Sequence, residues 1–253
     1  MIGTGESAQI YGSACMVAPG IALCATHVLS DHEYDLKNSR SELMAIGFGS
    51  EGLQLWKVRE VTNLDRSDLT LLGLEYASDL PASGTFNQLH LSTRVPQIDE
   101  RVTIVGVIPT SPPLDVSMGR DLEFEMRVIL SQGEVTQHYL GGRDTAVMPW
   151  SSIEVNCHAW GSMSGGPVFD KKGRLIGLLS SSLESDDENG PSWVSLLWPV
   201  IATEFRGGWP TEIRGTAKTL QEMDPSICVI DGREAVEHID GPGGRQVRLR
   251  ILE

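Results

Sequence analysis

What most restricts the fold of this chain is the recurrence of short apolar runs, rich in Val, Ile and Leu, each cut off by Gly, Pro, Asn or Asp. Runs this short are the strands of an all-β barrel or sandwich, because an amphipathic helix needs a longer stretch to bury one face. The pattern predicts strands at Ala14–Ala18, Ile21–Ala25, Leu53–Val61, Leu69–Leu74, Arg101–Val107 and Leu122–Leu130. It predicts others at Glu134–Tyr139, Ser152–Cys157, Pro167–Phe169, Arg174–Ser180 and Ser192–Pro199. No long amphipathic helix interrupts them, which argues against an α/β sandwich. Val200–Phe205 reads as the start of a short helix that closes this region.

After Gly207-Gly208 the character changes. The division this suggests is a main domain over residues 1–206 and an appendage of mixed structure over 207–253. Within the appendage, Ala217–Met223 and Arg233–Ile239 look helical, and Gln246–Ile251 alternates like a strand after the turn Gly241-Pro242-Gly243-Gly244. The appendage either packs on the main domain or begins a contact with a partner protein. A chain of 253 residues is long enough to bury a substantial core.

The formal net charge of −14 argues against nucleic acid as a partner, since that binding rests on Lys and Arg neutralising phosphates. An anionic membrane surface is disfavoured for the same reason. No stretch approaches the roughly 18 apolar residues that span a bilayer. The start, MIGTGESAQIYG, lacks the basic and apolar segments of a secretory signal, so the chain is expected to be cytoplasmic. The four cysteines, Cys15, Cys24, Cys157 and Cys228, have no metal-ligand spacing and suit a reducing compartment. Cys15 and Cys24 flank the Pro19-Gly20 turn symmetrically; buried reduced thiols are favoured there over a cross-strand disulfide.

The sharpest local signal is Gly161-Ser162-Met163-Ser164-Gly165-Gly166-Pro167-Val168-Phe169. A serine in a tight turn before two glycines presents its hydroxyl, and the glycines admit backbone conformations and close approaches that other residues do not. A serine nucleophile needs a base within hydrogen-bond reach, because an alkoxide does not form unaided near neutral pH. Of six histidines, only His27 ends a small-residue apolar strand, a mount both rigid and open to a cleft. The base needs a carboxylate to fix its tautomer and stabilise the imidazolium. Asp68 stands where a polar turn enters the apolar run Leu69-Thr70-Leu71-Leu72; its neighbour Asp65 lies inside that turn, where solvent exposure is favoured.

The segments Ala25-Thr26-His27-Val28, Ser67-Asp68-Leu69-Thr70-Leu71-Leu72 and Ser164-Gly165-Gly166-Pro167-Val168-Phe169 resemble the three catalytic boxes of trypsin-like serine peptidases. Their order, His then Asp then Ser at separations of 41 and 96 residues, is the chymotrypsin order. The similarity covers about residues 8–206 and is nearest to compact bacterial domains related to the high-temperature-requirement proteases. It implies an all-β fold of two packed antiparallel barrels, with His27 and Asp68 on the first and Ser164 on the second. It also implies an oxyanion hole from the backbone N–H groups of Ser162 and Ser164. By the same resemblance His158 lies near the floor of the specificity pocket and Ser180, Ser181 and Ser182 form one wall. His158 there favours an acidic or polar residue before the cut bond, whereas the acidic loop Glu184-Ser185-Asp186-Asp187-Glu188 favours basic substrates.

Two positions depart from the family. Animal digestive members carry an Asp before the nucleophile that pairs with a freshly cut N-terminus; here Met163 stands there, which implies that no activating cleavage is needed. The place two before the nucleophile, usually Gly, is Ser162. A serine accepts fewer backbone conformations, so the turn either rests in a non-productive state that substrate or a partner switches on, or adopts the usual shape at small cost. The expectation is therefore a serine endopeptidase acting on proteins or peptides, with no metal or organic cofactor. The rivals are a peptidase-like binding module that no longer cuts, and an enzyme dedicated to one partner docked on residues 209–253.

Overall fold

The computed structural model describes residues 2–3, 7–30, 32–38, 42–49, 52–78, 89–110, 114–115, 125–183, 190–205, 210, 217–241 and 244–250. The first half contributes strands β1 (Ile2–Gly3), β2 (Ser7–Gln9), β3 (Ala14–Ala18), β4 (Ile21–Cys24), β5 (Glu42–Gly49), β6 (Gly52–Asn63) and β7 (Thr70–Tyr76). Two short helices, α1 (His27–Ser30) and α2 (Glu33–Lys37), follow β4. The second half contributes β8 (His90–Ser92), β9 (Arg101–Pro109), β10 (Leu114–Asp115), β11 (Met126–Tyr139), β12 (Ser152–Val155), β13 (Pro167–Phe169), β14 (Leu175–Ser182) and β15 (Ser192–Leu196). Helix α3 (Trp198–Ile201) and strands β16 (Val229–Asp231), β17 (Val236–Gly241) and β18 (Gly244–Leu249) complete it.

Two eight-stranded sheets result. The first runs β10-β2-β1-β5-β6-β7-β4-β3 and curls around its own core without closing by backbone pairing among the described residues. The second runs β13-β9-β11-β12-β15-β14-β8-β16, and pairing of β13 with β14 closes six of its strands into a barrel. This is the two-barrel, chymotrypsin-like all-β architecture expected from the sequence. Among the described residues, parallel pairing appears only where β8 meets β14 and β16. Leu23 and Leu71 of the first sheet, Leu69 just before β7, Leu175 and Leu178 of the second sheet, and Leu197, Val200 and Ile201 around α3 form one buried cluster. The two sheets therefore share a core, and the cleft between them has rigid walls.

Several predicted elements differ. Leu122–Leu130 and Glu134–Tyr139 are read as two strands, but β11 runs unbroken through Gly133, which pairs with Val102. Gly133 marks close packing instead of a turn: a Cβ there would lie 2.8 Å from Cys157 Cβ and 2.9 Å from Val155 Cγ1. The strand expected to reach Pro199 stops at Leu196, because Pro199 favours the first turn of α3, which begins earlier than the expected Val200.

In the tail, Ala217–Met223 holds only a 3-10 turn at Leu220–Glu222, closed by a capping box with Thr219. Arg233–Ile239 is a 3-10 turn at Arg233–Ala235 followed by β17, whose pairing with β18 overrides its helical propensity. The tail is built into the core: Leu220, Met223, Cys228 and Val236 are buried in the shared cluster. Strand β16 extends the second sheet, and Asp231 on it pairs with Arg174, which also holds the buried Asp170. The acidic loop 184–188 lies outside the described residues.

All four cysteines are buried and free. Cys15 pairs in register with Leu23 and Cys24 with Ala14, and the two side chains enter different clusters. Burial pushes the thiols of Cys15 and Cys24 up to about 12, with the Asp68 charge adding to the effect at Cys24. Burial likewise raises Cys157 and Cys228 to about 11. A thiol whose pKa is higher folded than unfolded stabilises the fold below its ordinary value and loses that contribution as pH climbs through the folded value. Native protein at pH 8 is expected to take up no iodoacetamide where denatured protein takes up four equivalents. Its stability to urea is expected to fall between about pH 9 and 12. Rapid native alkylation of any one cysteine would contradict this burial.

Candidate active site

Strand β4 is buried along its whole length and delivers Ala25 and Thr26 to the cleft before His27 opens α1. Asp68 follows a tight turn at residues 64–67, where the Leu64 N–H donates to the Leu69 carbonyl at 3.0 Å and Arg66 takes a left-handed φ of 52°. That turn buries Asp68 while Asp65 stays exposed, as the sequence suggests. A chain of side chains fastens the two segments: Thr70 Oγ1 donates to Asn63 Oδ1 at 2.8 Å and lies 2.9 Å from Thr26 Oγ1.

Asp68 is saturated with donors. Its Oδ1 accepts from the His27 backbone N–H at 3.0 Å, and its Oδ2 lies 2.9 Å from His27 Nδ1. The Ser180 hydroxyl donates to Oδ2 at 2.5 Å. The carboxylate thus fixes the imidazole with Nδ1 as the donor and Nε2 as the acceptor. Ser180, expected as pocket wall, both lines the cleft and holds the carboxylate. The signal in the sequence was a polar residue inside the buried strand Leu175–Ser182.

Ser164 ends the 3-10 turn Gly161–Met163 and lines, with His27 and Asp68, one cleft of about 320 Å³. The two following glycines are required by space. A Cβ on Gly165, at φ 81°, would stand 2.3 Å from the Ser13 carbonyl oxygen, and one on Gly166 would stand 2.2 Å from the Val105 carbonyl oxygen. Met163 is fully buried, its Cβ occupying the space a side chain on Gly106 would need. Apolar packing therefore anchors this position.

The remaining wall of the cleft is largely apolar, formed by Val147, Met148, Trp150, Trp160 and Leu179 beside Ser181 and Ser182. Asp144 secures its lip by accepting the backbone N–H groups of Ala146, Val147 and Met148. Those bonds, Val147's first, hold the Asp144 carboxyl down to about 2. His158 is not brought to this cleft: its ring stands edge-on to Trp160 at 4.8 Å, and Ala159 and Trp160 face the space instead. Of the other histidines, His32 packs at a tilt against Tyr11 and His138 is bound to the Pro96 carbonyl. His90 and His238 are exposed on strands.

One of the two oxyanion donors that the resemblance implies is engaged within the turn itself. Ser164 N–H is turned back on the Gly161 carbonyl at 3.3 Å, closing the 3-10 turn. Among the described residues no group of three or more His, Cys, Asp or Glu side chains is placed to hold a metal ion. No described helix is long and apolar enough to cross a membrane.

A match to the trypsin-like peptidase domain spans residues 12–178, and the chain belongs to that family. Its structure is similar to Deg5, with a TM-score of 0.51 at 16% identity over 77% of this chain and 81% of that one. It is also similar to the protease domain of MamO from Magnetospirillum magneticum in its apo form, with a TM-score of 0.50 at 13% identity over 77% and 89% of the two chains. At these identities the likeness is one of fold. Among curated proteins none matches the chain.

Proposed function

We propose that this protein is a serine endopeptidase in which Ser164 is the nucleophile, His27 the general base and Asp68 its orienting carboxylate. The observation that carries the reading is the Asp68 carboxylate, buried and held to both the ring and the backbone of His27 at the mouth of the cleft that Ser164 lines. His27 Nε2 takes the Ser164 proton as the oxygen attacks the peptide carbonyl, then returns it to the leaving amine; in the second half it activates water against the acyl-enzyme. Asp68 stabilises the imidazolium at each stage. The substrate is a protein or peptide.

A second reading, a peptidase fold that is silent until switched on, is favoured by the bond from Ser164 N–H to the Gly161 carbonyl. In that resting turn the nucleophile's own N–H is withheld from the oxyanion, whose stabilisation by one donor is worth roughly 3–4 kcal/mol. We take the resting turn as the low-energy state of an enzyme: rotating the Gly161–Ser162 peptide gives up one long hydrogen bond, a cost of about 1 kcal/mol that bound substrate offsets. The test is reaction of the uncleaved chain with a fluorophosphonate, followed by mass spectrometry of the labelled peptide. The expected adduct is on Ser164 without prior proteolysis. Folded protein that stays unlabelled, with and without peptide ligands, would establish the silent module.

A further inference from the structure

The nucleophile turn is fastened from the opposite barrel by a residue outside the three catalytic boxes. Ser13, buried just before β3, sends its backbone N–H to the Ser164 carbonyl at 2.8 Å. Its hydroxyl accepts the Val107 N–H of β9 at 2.9 Å and donates to the Ser162 carbonyl at 3.1 Å. A hydroxyl has a single proton, so the bond from Val107 forces that proton toward Ser162. Beyond it, the Gly165 N–H is held by the Leu179 carbonyl at 2.8 Å and the Met163 side chain is buried against β9. Gly161 differs: it is exposed, and a Cβ built there meets nothing within 4 Å.

We propose that Ser13 is a positioning residue that holds the Ser162–Met163 peptide fixed, so that assembly of the oxyanion hole is a rotation of the Gly161–Ser162 peptide alone. This rests on the serine-peptidase reading above. Rotating one peptide about its flanking Cα atoms leaves its neighbours in place. It releases Ser164 N–H from Gly161 and turns Ser162 N–H into the cleft. Because the Ser162 carbonyl belongs to the next peptide, the Ser13 bond survives the rotation and keeps both donors aimed at one point. Without the hydroxyl, the Ser162–Met163 peptide is free to turn as well, and the productive arrangement becomes one of several. Small misplacements of this kind cost about 10- to 100-fold in rate.

The test compares wild type, Ser13→Ala and Ser13→Thr for fluorophosphonate labelling rate and for kcat and KM on a peptide amide. Ser13→Ala is expected to lose about 10- to 100-fold in labelling rate and kcat, with KM within about threefold, because the donors act on the transition state and not on the bound peptide. Ser13→Thr keeps the hydroxyl, has an adjoining cavity for its methyl group, and is expected to recover most of the rate. Should Ser13→Ala fail to fold, Ser13→Cys, of similar shape and with only a weak donor, carries the same expected loss. Equal labelling of wild type and Ser13→Ala would overturn the proposal, as would a Thr variant that folds but does not recover. An unlabelled wild type would instead overturn the peptidase reading, and this proposal with it.

Discussion

Replacing Ser164 by Ala, or His27 by Ala, is expected to lower kcat on a peptide amide by about a million-fold each, and replacing both together by scarcely more. The reason is that in the proposed mechanism the two side chains act as one device. Without the imidazole the hydroxyl cannot lose its proton near neutral pH, and without the hydroxyl the base has only water to activate, at a position the cleft was not shaped for. Each single loss therefore removes the covalent route entirely, and the second has nothing left to remove. What remains is binding in the cleft and whatever oxyanion stabilisation the turn supplies. Ser164 is only partly buried, and its backbone bonds to Ser13 and Gly161 do not involve the side chain, so stability is expected to change by less than about 1 kcal/mol. Steady-state hydrolysis of a peptide–coumarin substrate, with thermal melts as the control for folding, measures both effects. Losses that multiply, or a Ser164→Ala variant retaining a hundredth of the wild-type rate, would mean that water and not Ser164 attacks the carbonyl.

The double barrel was legible because its strands are short and apolar, and because the punctuating residues stand where the chain reverses. Pro19-Gly20 between β3 and β4 does so, with Gly20 at φ 69°. Where punctuation misled, the third dimension supplied the cause. Gly133 is a glycine for Cys157 and Val155, which lie far from it in sequence, and Pro199 begins a helix instead of ending a strand. Strands β1, β2, β5, β8, β10 and β16 went unread. Strands β8 and β16 have three residues each at one end of the second sheet, β16 at its edge, and exist only because neighbouring strands provide partners.

The candidate site divides in the same way. His27, Asp68 and Ser164 announce themselves because each joins a polar function to a rigid strand end or a glycine turn. Ser180 and Ser13 do not, since a serine's worth depends on what its hydroxyl meets: Asp68 for one, Val107 and Ser162 for the other. His158 illustrates the converse. The family resemblance implied a pocket floor, but its ring turns onto Trp160 and leaves the cleft wall apolar. The Ser162 position stands out in the sequence as a departure; only the structure gives the bond that makes it matter, from Ser164 N–H to Gly161.

Asp68→Asn is expected to lower kcat by about 10⁴-fold while leaving the fold and KM nearly unchanged, through the tautomer of His27. The geometry leaves the asparagine no good choice. The His27 backbone N–H can only donate, and it points at Oδ1 from 3.0 Å, so the amide oxygen must take that place. The amide nitrogen then falls at the Oδ2 position, 2.9 Å from His27 Nδ1. Two donors cannot share that contact, the shorter of the two that Nδ1 makes. The amide oxygen at the Oδ1 place is 3.1 Å from the ring nitrogen and already takes the backbone N–H, so Nδ1 gives up its proton and Nε2 carries it. A protonated Nε2 cannot receive the Ser164 proton. Ser180 accommodates the change, because its hydroxyl rotates from donating to accepting. Flipping the amide moves the conflict from the ring to the backbone N–H and strands a buried donor, a cost of about 1–3 kcal/mol. Nitrogen-15 NMR of the imidazole should report an exchange of roles between Nδ1 and Nε2, alongside the loss in hydrolysis and in fluorophosphonate labelling rate. A variant within tenfold of wild type would show that neither the charge nor the hydrogen bonding of Asp68 matters to the rate, and one that loses activity with the tautomer unchanged would show that Asp68 acts through its charge alone.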